Sequence, residues 1–184
     1  MKSTSAAVLA FALAGSAAAA PAPQSSFQGL AIRSGSPIQF ATVNANDGNF
    51  WLLEKTSTGP CPSNVKCSNT TDTIFTGGKN TLNLKVEVPG GQQVYVSDIG
   101  ALRFTQPHNA AIGEGSSQTG FAVSKKGKFD YLTYNDGSFL ACPTDANNYL
   151  VYVDGASDTG STADCLGFDF LIGDDSAPAA WEYS

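Results

Sequence analysis

The sequence predicts an all-β protein, a single-domain antiparallel β-barrel or closed sandwich preceded by a cleaved leader. Three observations carry that prediction. Residues 81–88, TLNLKVEV, alternate strictly, with Leu82, Leu84, Val86 and Val88 on one face and Thr81, Asn83, Lys85 and Glu87 on the other. Period two marks a half-buried strand. Residues 120–153 break into short apolar runs separated by Gly- and Asp-containing turns, the spacing of a meander. Beyond the leader, no segment sustains an apolar stripe of period 3.6. Short strands at close spacing without helices point to a barrel or sandwich.

The elements follow in order. Lys2 supplies a short positive start, AAVLAFALAG an apolar core, and the Ala-rich run an A-x-A site, so residues 1–20 read as a secretory signal peptide. The apolar core falls short of the roughly 20 residues a membrane span requires. Residues 21–26, PAPQSS, read as a flexible lead-in, and residues 27–184 as one β domain, long enough to bury a core. Early strands are expected in QGLAIR, PIQFATV and FWLLEK. TLNLKVEV then turns through Pro89-Gly90-Gly91 into QQVYV. Pro presets φ at the first corner and Gly accepts positive φ at the second, as a hairpin requires. Lys125-Lys126-Gly127 separates GFAVS from KFDYLTY, and Asn135-Asp136-Gly137 separates KFDYLTY from SFLAC; Asp-Gly is a strong tight-turn signal. Asp145 to Asn148 turn the chain into YLVYVD, and LGFDFLI is the last strand.

Export decides what the cysteines do. Cys61, Cys67, Cys142 and Cys165 all follow the leader, and an even count in an exported chain reads as disulfides. Four cysteines allow three connectivities; adjacency in sequence favours Cys61–Cys67 and Cys142–Cys165. Each would contribute roughly 2–3 kcal/mol by the chain-entropy account. With no C-x-x-C and one histidine, neither a zinc site nor another metal or cofactor is expected. The formal net charge is −6, and losing Lys2 makes it more negative. Nucleic acid and anionic membranes both prefer basic patches and are not expected partners. SAPAAWEYS lacks the hydrophobic tail of a lipid-anchor signal. The expectation is a soluble extracellular protein.

No catalytic residue is assigned. His108, the one histidine, lies in the irregular stretch FTQPHNAAIGEG, and G-x-S-x-G is absent. Thr76-Gly77-Gly78-Lys79-Asn80 has Asn80 where a phosphate loop needs Ser or Thr. Asp154, Asp158, Asp164, Asp169, Asp174 and Asp175 cluster late. Two of them would serve a carbohydrate-active enzyme only at glycosidase separation. Asp154 to Gly160 misses calcium-loop spacing and its closing Glu. Trp51, Tyr131, Tyr134, Tyr149, Tyr152 and Trp181 are candidate sugar-stacking platforms, although aromatics in a β domain more often fill the core. Asn69-Thr70-Thr71 is the single N-x-[ST] sequon, a glycosylation site in an exported eukaryotic protein.

Several segments together carry a resemblance: GLAIRSGSPIQF, QVYVSD, GFAVSKKGKFDYLTYNDGSFLACP, YLVYVDG, DCLGF and the terminal Glu-Tyr of WEYS. They resemble the fungal phialide-type cell-wall proteins, the PhiA family, over most of the chain after the leader. Its most specific parts are the ACP and DCLG segments, and none is a catalytic motif. The resemblance implies a secreted, non-enzymatic protein of filamentous fungi, associated with the cell wall and with phialide and conidium development. It implies wall polysaccharide as partner. The alternative is an elicitor, effector or allergen that meets a host surface protein. Cys142 and Cys165 fall on family cysteine positions, which supports pairing them. Trp181 stands where some relatives have Cys, and no cysteine follows the leader closely, so a terminal staple is absent. Labelling the denatured, unreduced protein with a thiol reagent is expected to find no free sulfhydryl; two or more would refute the staple reading.

Overall fold

The computed structural model describes residues 26–184 apart from positions 69, 145, 162, 163, 175 and 176. The leader, residues 21–25 of the lead-in and Asn69 lie outside the described residues. Eleven strands make one sheet: β1 (Ser26–Ile32), β2 (Asn44–Asn46), β3 (Asn49–Leu52), β4 (Phe75–Leu84), β5 (Gln92–Val96), β6 (Leu102–Phe104), β7 (Phe121–Lys126), β8 (Phe129–Tyr134), β9 (Phe139–Pro143), β10 (Tyr149–Val153) and β11 (Leu166–Asp174). Among the described residues every regular element is a strand. Nine of them close a ring in the order β11-β8-β7-β4-β5-β6-β3-β10-β9, with β9 returning to β11. All the named strand pairs are antiparallel. The molecule is therefore a barrel rather than a sandwich. β1 pairs with both β11 and β4, and β2 pairs with β3. Closure gives each of the nine ring strands a neighbour on both sides.

Phenylalanines fill the interior. Phe75 meets Phe27 at 5.7 Å, Phe50 at 5.3 Å and Phe170 at 5.6 Å between ring centroids. Phe104 continues the chain of rings from Phe50, and Phe139 and Phe168 continue it from Phe170. Such offset and edge contacts add about 0.5–1.5 kcal/mol per pair beyond area burial. Gly29 is part of this packing, because a Cβ there would stand 2.2 Å from the Phe170 ring. The glycine of GLAIR is thus a space requirement.

The ring closes at β9–β11, where Leu166, Gly167 and Phe168 oppose Ala141, Leu140 and Phe139. The Cys142–Cys165 bond sits immediately beyond that ladder. Arg33 Nη1 donates to the Gly167 carbonyl at 2.7 Å, which ties the loop after β1 to the same seam. Cys61 and Cys67 are bonded to each other in an exposed loop.

Several expectations are corrected. Ser26, placed in the lead-in, begins β1 and pairs with Thr76. PIQFATV is not a strand: Phe40 turns into the left-handed region at φ 63° and donates its N–H to the Ala31 carbonyl, leaving Thr42 a lone bridge to Leu30. FWLLEK stops at Leu52 for the same reason, since Leu53 also takes φ 63°. β2 and β6, three residues each, are too short to show a period. Lys125 and Lys126 belong to β7, and the turn is Gly127-Lys128. Asn135 and Asp136, both at positive φ, are the corners of the next turn, bracketed by paired bonds between Tyr134 and Gly137. That is type I′ geometry, which needs positive φ at both central residues.

Residues 180–184 join the core through isolated bridges, Val86 to Ala180 and Thr58 to Tyr183. Tyr183 is fully buried. Its hydroxyl accepts the Ile74 N–H at 3.0 Å and donates to the Asp72 carbonyl at 2.9 Å. The side-chain amide of buried Gln92 serves its backbone: Oε1 accepts the Tyr183 N–H at 2.7 Å, and Nε2 donates to the Tyr183 carbonyl at 2.9 Å and to the Thr105 carbonyl at 3.0 Å. Removing that amide leaves several buried backbone groups unpaired, each worth about 1–3 kcal/mol. Gln92→Leu is expected to cost about 3 kcal/mol, and Tyr183→Phe about 1–2 kcal/mol. Thermal denaturation should show the first lowering the midpoint by roughly 6–12 °C and the second by less; equal midpoints would contradict the assignment.

Candidate functional site

The β7–β8 hairpin presents two faces, set by its register: Phe121, Val123 and Lys125 oppose Tyr134, Leu132 and Asp130, while Ala122, Ser124 and Lys126 oppose Thr133, Tyr131 and Phe129. Phe121 and Leu132 are buried, so the second set faces outward. The next strand continues that outer face, with Leu171 of β11 opposite Tyr131. Lys126 crosses from its row to Asp169, with Nζ 3.0 Å from Oδ1. Its ammonium lies 5.1 Å from the centre of the Tyr131 ring, within cation–π range.

A groove of about 440 Å³ opens here, within the size range of ligand clefts. Lys126, Tyr131 and Asp169 line one part, with Ser124 and Thr133 beside them. Asp136 and Ser138, from the turn into β9, and Asp154, just after β10, line the other. The Asp154 N–H donates to the Ser138 carbonyl at 3.1 Å, joining the last two segments. The groove thus offers carboxylate acceptors, hydroxyls and one aromatic ring, carried by strands and by the segments that join them.

The other sequence candidates lie elsewhere. Cys142 is buried and disulfide-bonded, so it offers no thiolate. His108 is exposed in a loop at φ 60°. Thr76 to Asn80 are part of β4. Among the late aspartates, Asp154 and Asp169 reach the groove. Asp158 accepts the Gly160 N–H of its own turn, Asp164 and Asp174 are exposed, and Asp175 lies outside the described residues. Among the described residues no three His, Cys, Asp or Glu side chains form a metal-ligand set. Tyr152 is buried and its hydroxyl donates to the Thr159 carbonyl at 2.8 Å. Tyr134 packs on Phe121 at 5.2 Å, and Tyr149 packs against the core. Trp51 Nε1 donates to the Asn46 carbonyl, and Trp181 lies beside the Cys61–Cys67 bond. Of the six proposed platforms, Tyr131 is the one that lines the groove. The sequence marks Lys126 and Asp136 only as turn residues. The hairpin register, once known, puts Lys126 on the outer face with Tyr131.

Among the described residues two titrating groups carry displaced protonation equilibria, both outside the groove. The Lys55 backbone N–H and then the Asn148 amide, 2.8 Å from Oε2, hold the Glu54 carboxyl below its usual range. Burial first, then Asp158, pushes the Tyr152 phenol above its usual range. The lowered Glu54 value contributes stability at neutral pH that is lost as pH falls below about 4. The raised Tyr152 value contributes stability that is full below about pH 10 and lost as pH rises through the displaced value. Spectrophotometric titration of the native protein is expected to show one tyrosine ionising later than in a Tyr152→Phe variant; identical curves would contradict this placement.

A family model described as PhiA-like secreted protein matches residues 27–184. A secreted protein of Arthroderma benhamiae is 34% identical over 147 residues, 73% of each chain. The cell wall protein phiA of Emericella nidulans is 28% identical over 197 aligned positions covering all of both chains. No solved structure matches.

Proposed function

Because the chain belongs to the PhiA-like secreted protein family, we propose that it is a non-enzymatic protein of the fungal cell wall, held in the polysaccharide matrix by its folded surface. One relative carries the name of a cell wall protein. The observation that carries the reading is the outer groove, where carboxylates and hydroxyls surround a tyrosine ring. Carboxylates accept paired sugar hydroxyls, and an aromatic face takes the apolar side of a pyranose. An acidic protein gains nothing from other acidic wall components, so neutral polysaccharide is the fitting partner. The family resemblance extends the proposal to phialide and conidium development.

The test uses the secreted protein and purified walls. Native protein is expected to sediment with walls and with insoluble chitin or β-glucan, to leave those glycans uncut, and to lose binding once reduced and unfolded. Recovery in the culture fluid alone, with none released from walls, would defeat the proposal.

A further inference from the structure

We infer that the groove between the β7–β8 hairpin and the turn into β9 is a binding site for a neutral β-linked glucopyranose chain, and that Lys126 covers it in the free protein. The inference rests on the wall reading above and assigns the site that would serve it. Tyr131 stands on the outward face of a central strand pair, where its ring packs no core. What lies over it is the Lys126 ammonium, 5.1 Å from the ring centre and 3.0 Å from Asp169. Both ends of that contact are about half exposed, with side-chain exposures of 55% for Lys126 and 44% for Asp169. Exposed pairs of this kind are weak and screened by salt. The cover is therefore displaceable.

What replaces it is fixed by the surroundings. Asp136, Asp154 and Asp169 against one lysine leave the groove negative, which disfavours acidic polymers. A β-linked glucopyranose ring has C–H groups on its faces and hydroxyls at its rim. A tyrosine face suits the first, and carboxylates with Ser138 suit the second. Chitin and β-glucan share this ring chemistry. Binding would move Lys126 off Tyr131 and free Asp169 to accept sugar hydroxyls.

The experiment measures affinity for chitohexaose and for a β-1,3-glucan hexamer by calorimetry, the two ligands separating the sources. Tyr131→Leu, which keeps apolar bulk, is expected to weaken binding about tenfold. Lys126→Gln is expected to tighten it about threefold by removing the cover. With the unaltered protein, raising salt from about 0.05 M to 1 M should also tighten binding, since it screens Lys126 from Asp169. This arm needs no variant to fold. Salt-weakened binding, with a preference for cationic chitosan, would mean adsorption to an acidic surface and would overturn the inference. So would unchanged affinity in a folded Tyr131→Leu protein. A protein that sediments with walls but binds neither hexamer overturns the site and leaves the wall reading standing; one that does not sediment fails the wall reading first.

Discussion

The fold depends on one buried amide. Residues 180–184 pack on the barrel through isolated bridges rather than a strand, and the Tyr183 backbone bonds a buried side chain. Gln92 supplies these bonds from its side chain, accepting the Tyr183 N–H and donating to its carbonyl. Buried backbone groups left unpaired are costly, so this amide favours the buried position of Tyr183. The neighbouring contacts follow from it. Gly59 donates to the Glu182 carbonyl, Asp47 donates to the Ser184 carbonyl, and Ser184 returns a bond to Ser57. Trp181 is brought beside the Cys61–Cys67 bond. Several irregular segments thus borrow order from one glutamine.

The seam plays the matching part on the sheet itself. β9 and β11 meet over three residue pairs. The Cys142–Cys165 bond and the Arg33–Gly167 hydrogen bond reinforce it from two directions. A disulfide closing a loop of this length contributes about 3 kcal/mol by limiting the unfolded chain. β11 also carries Asp169 to the groove. One groove residue, Asp169, is therefore placed by a strand that the seam holds.

What was legible in the sequence was whatever local chemistry decides. Leu82 and Leu84 are buried as their alternation requires, and Val88 closes its turn through the Gly91 N–H. Yet the strand ends at Leu84, because Val86 leaves it for a parallel bridge with Ala180. That partner lies far along the chain, beyond any window of periodicity. PIQFATV has strand composition but bends at Phe40, where bonds to Ala31 outweigh the preference of a bulky residue for negative φ. Tyr183 belongs to a resemblance-bearing segment, yet nothing in WEYS announces Gln92 as the partner that its core position uses.

The groove was less legible still, and for a different reason. Catalysis demands particular residue types at particular spacings and tends to perturb their protonation, whereas stacking and hydroxyl recognition ask only for a ring and acceptors on one surface. Glu54 and Tyr152 owe their displaced equilibria to turn and packing contacts away from the groove. Tyr131 resembled five other aromatics until pairing placed Ser124 opposite it and Lys126 two residues further on. Asp136 looked like half of a turn signal, and it is both a corner and a groove wall. Asn135 and Asp136 both take the positive φ that the corners of this turn need, and a residue other than Gly at the second corner leaves a carboxylate in the groove wall.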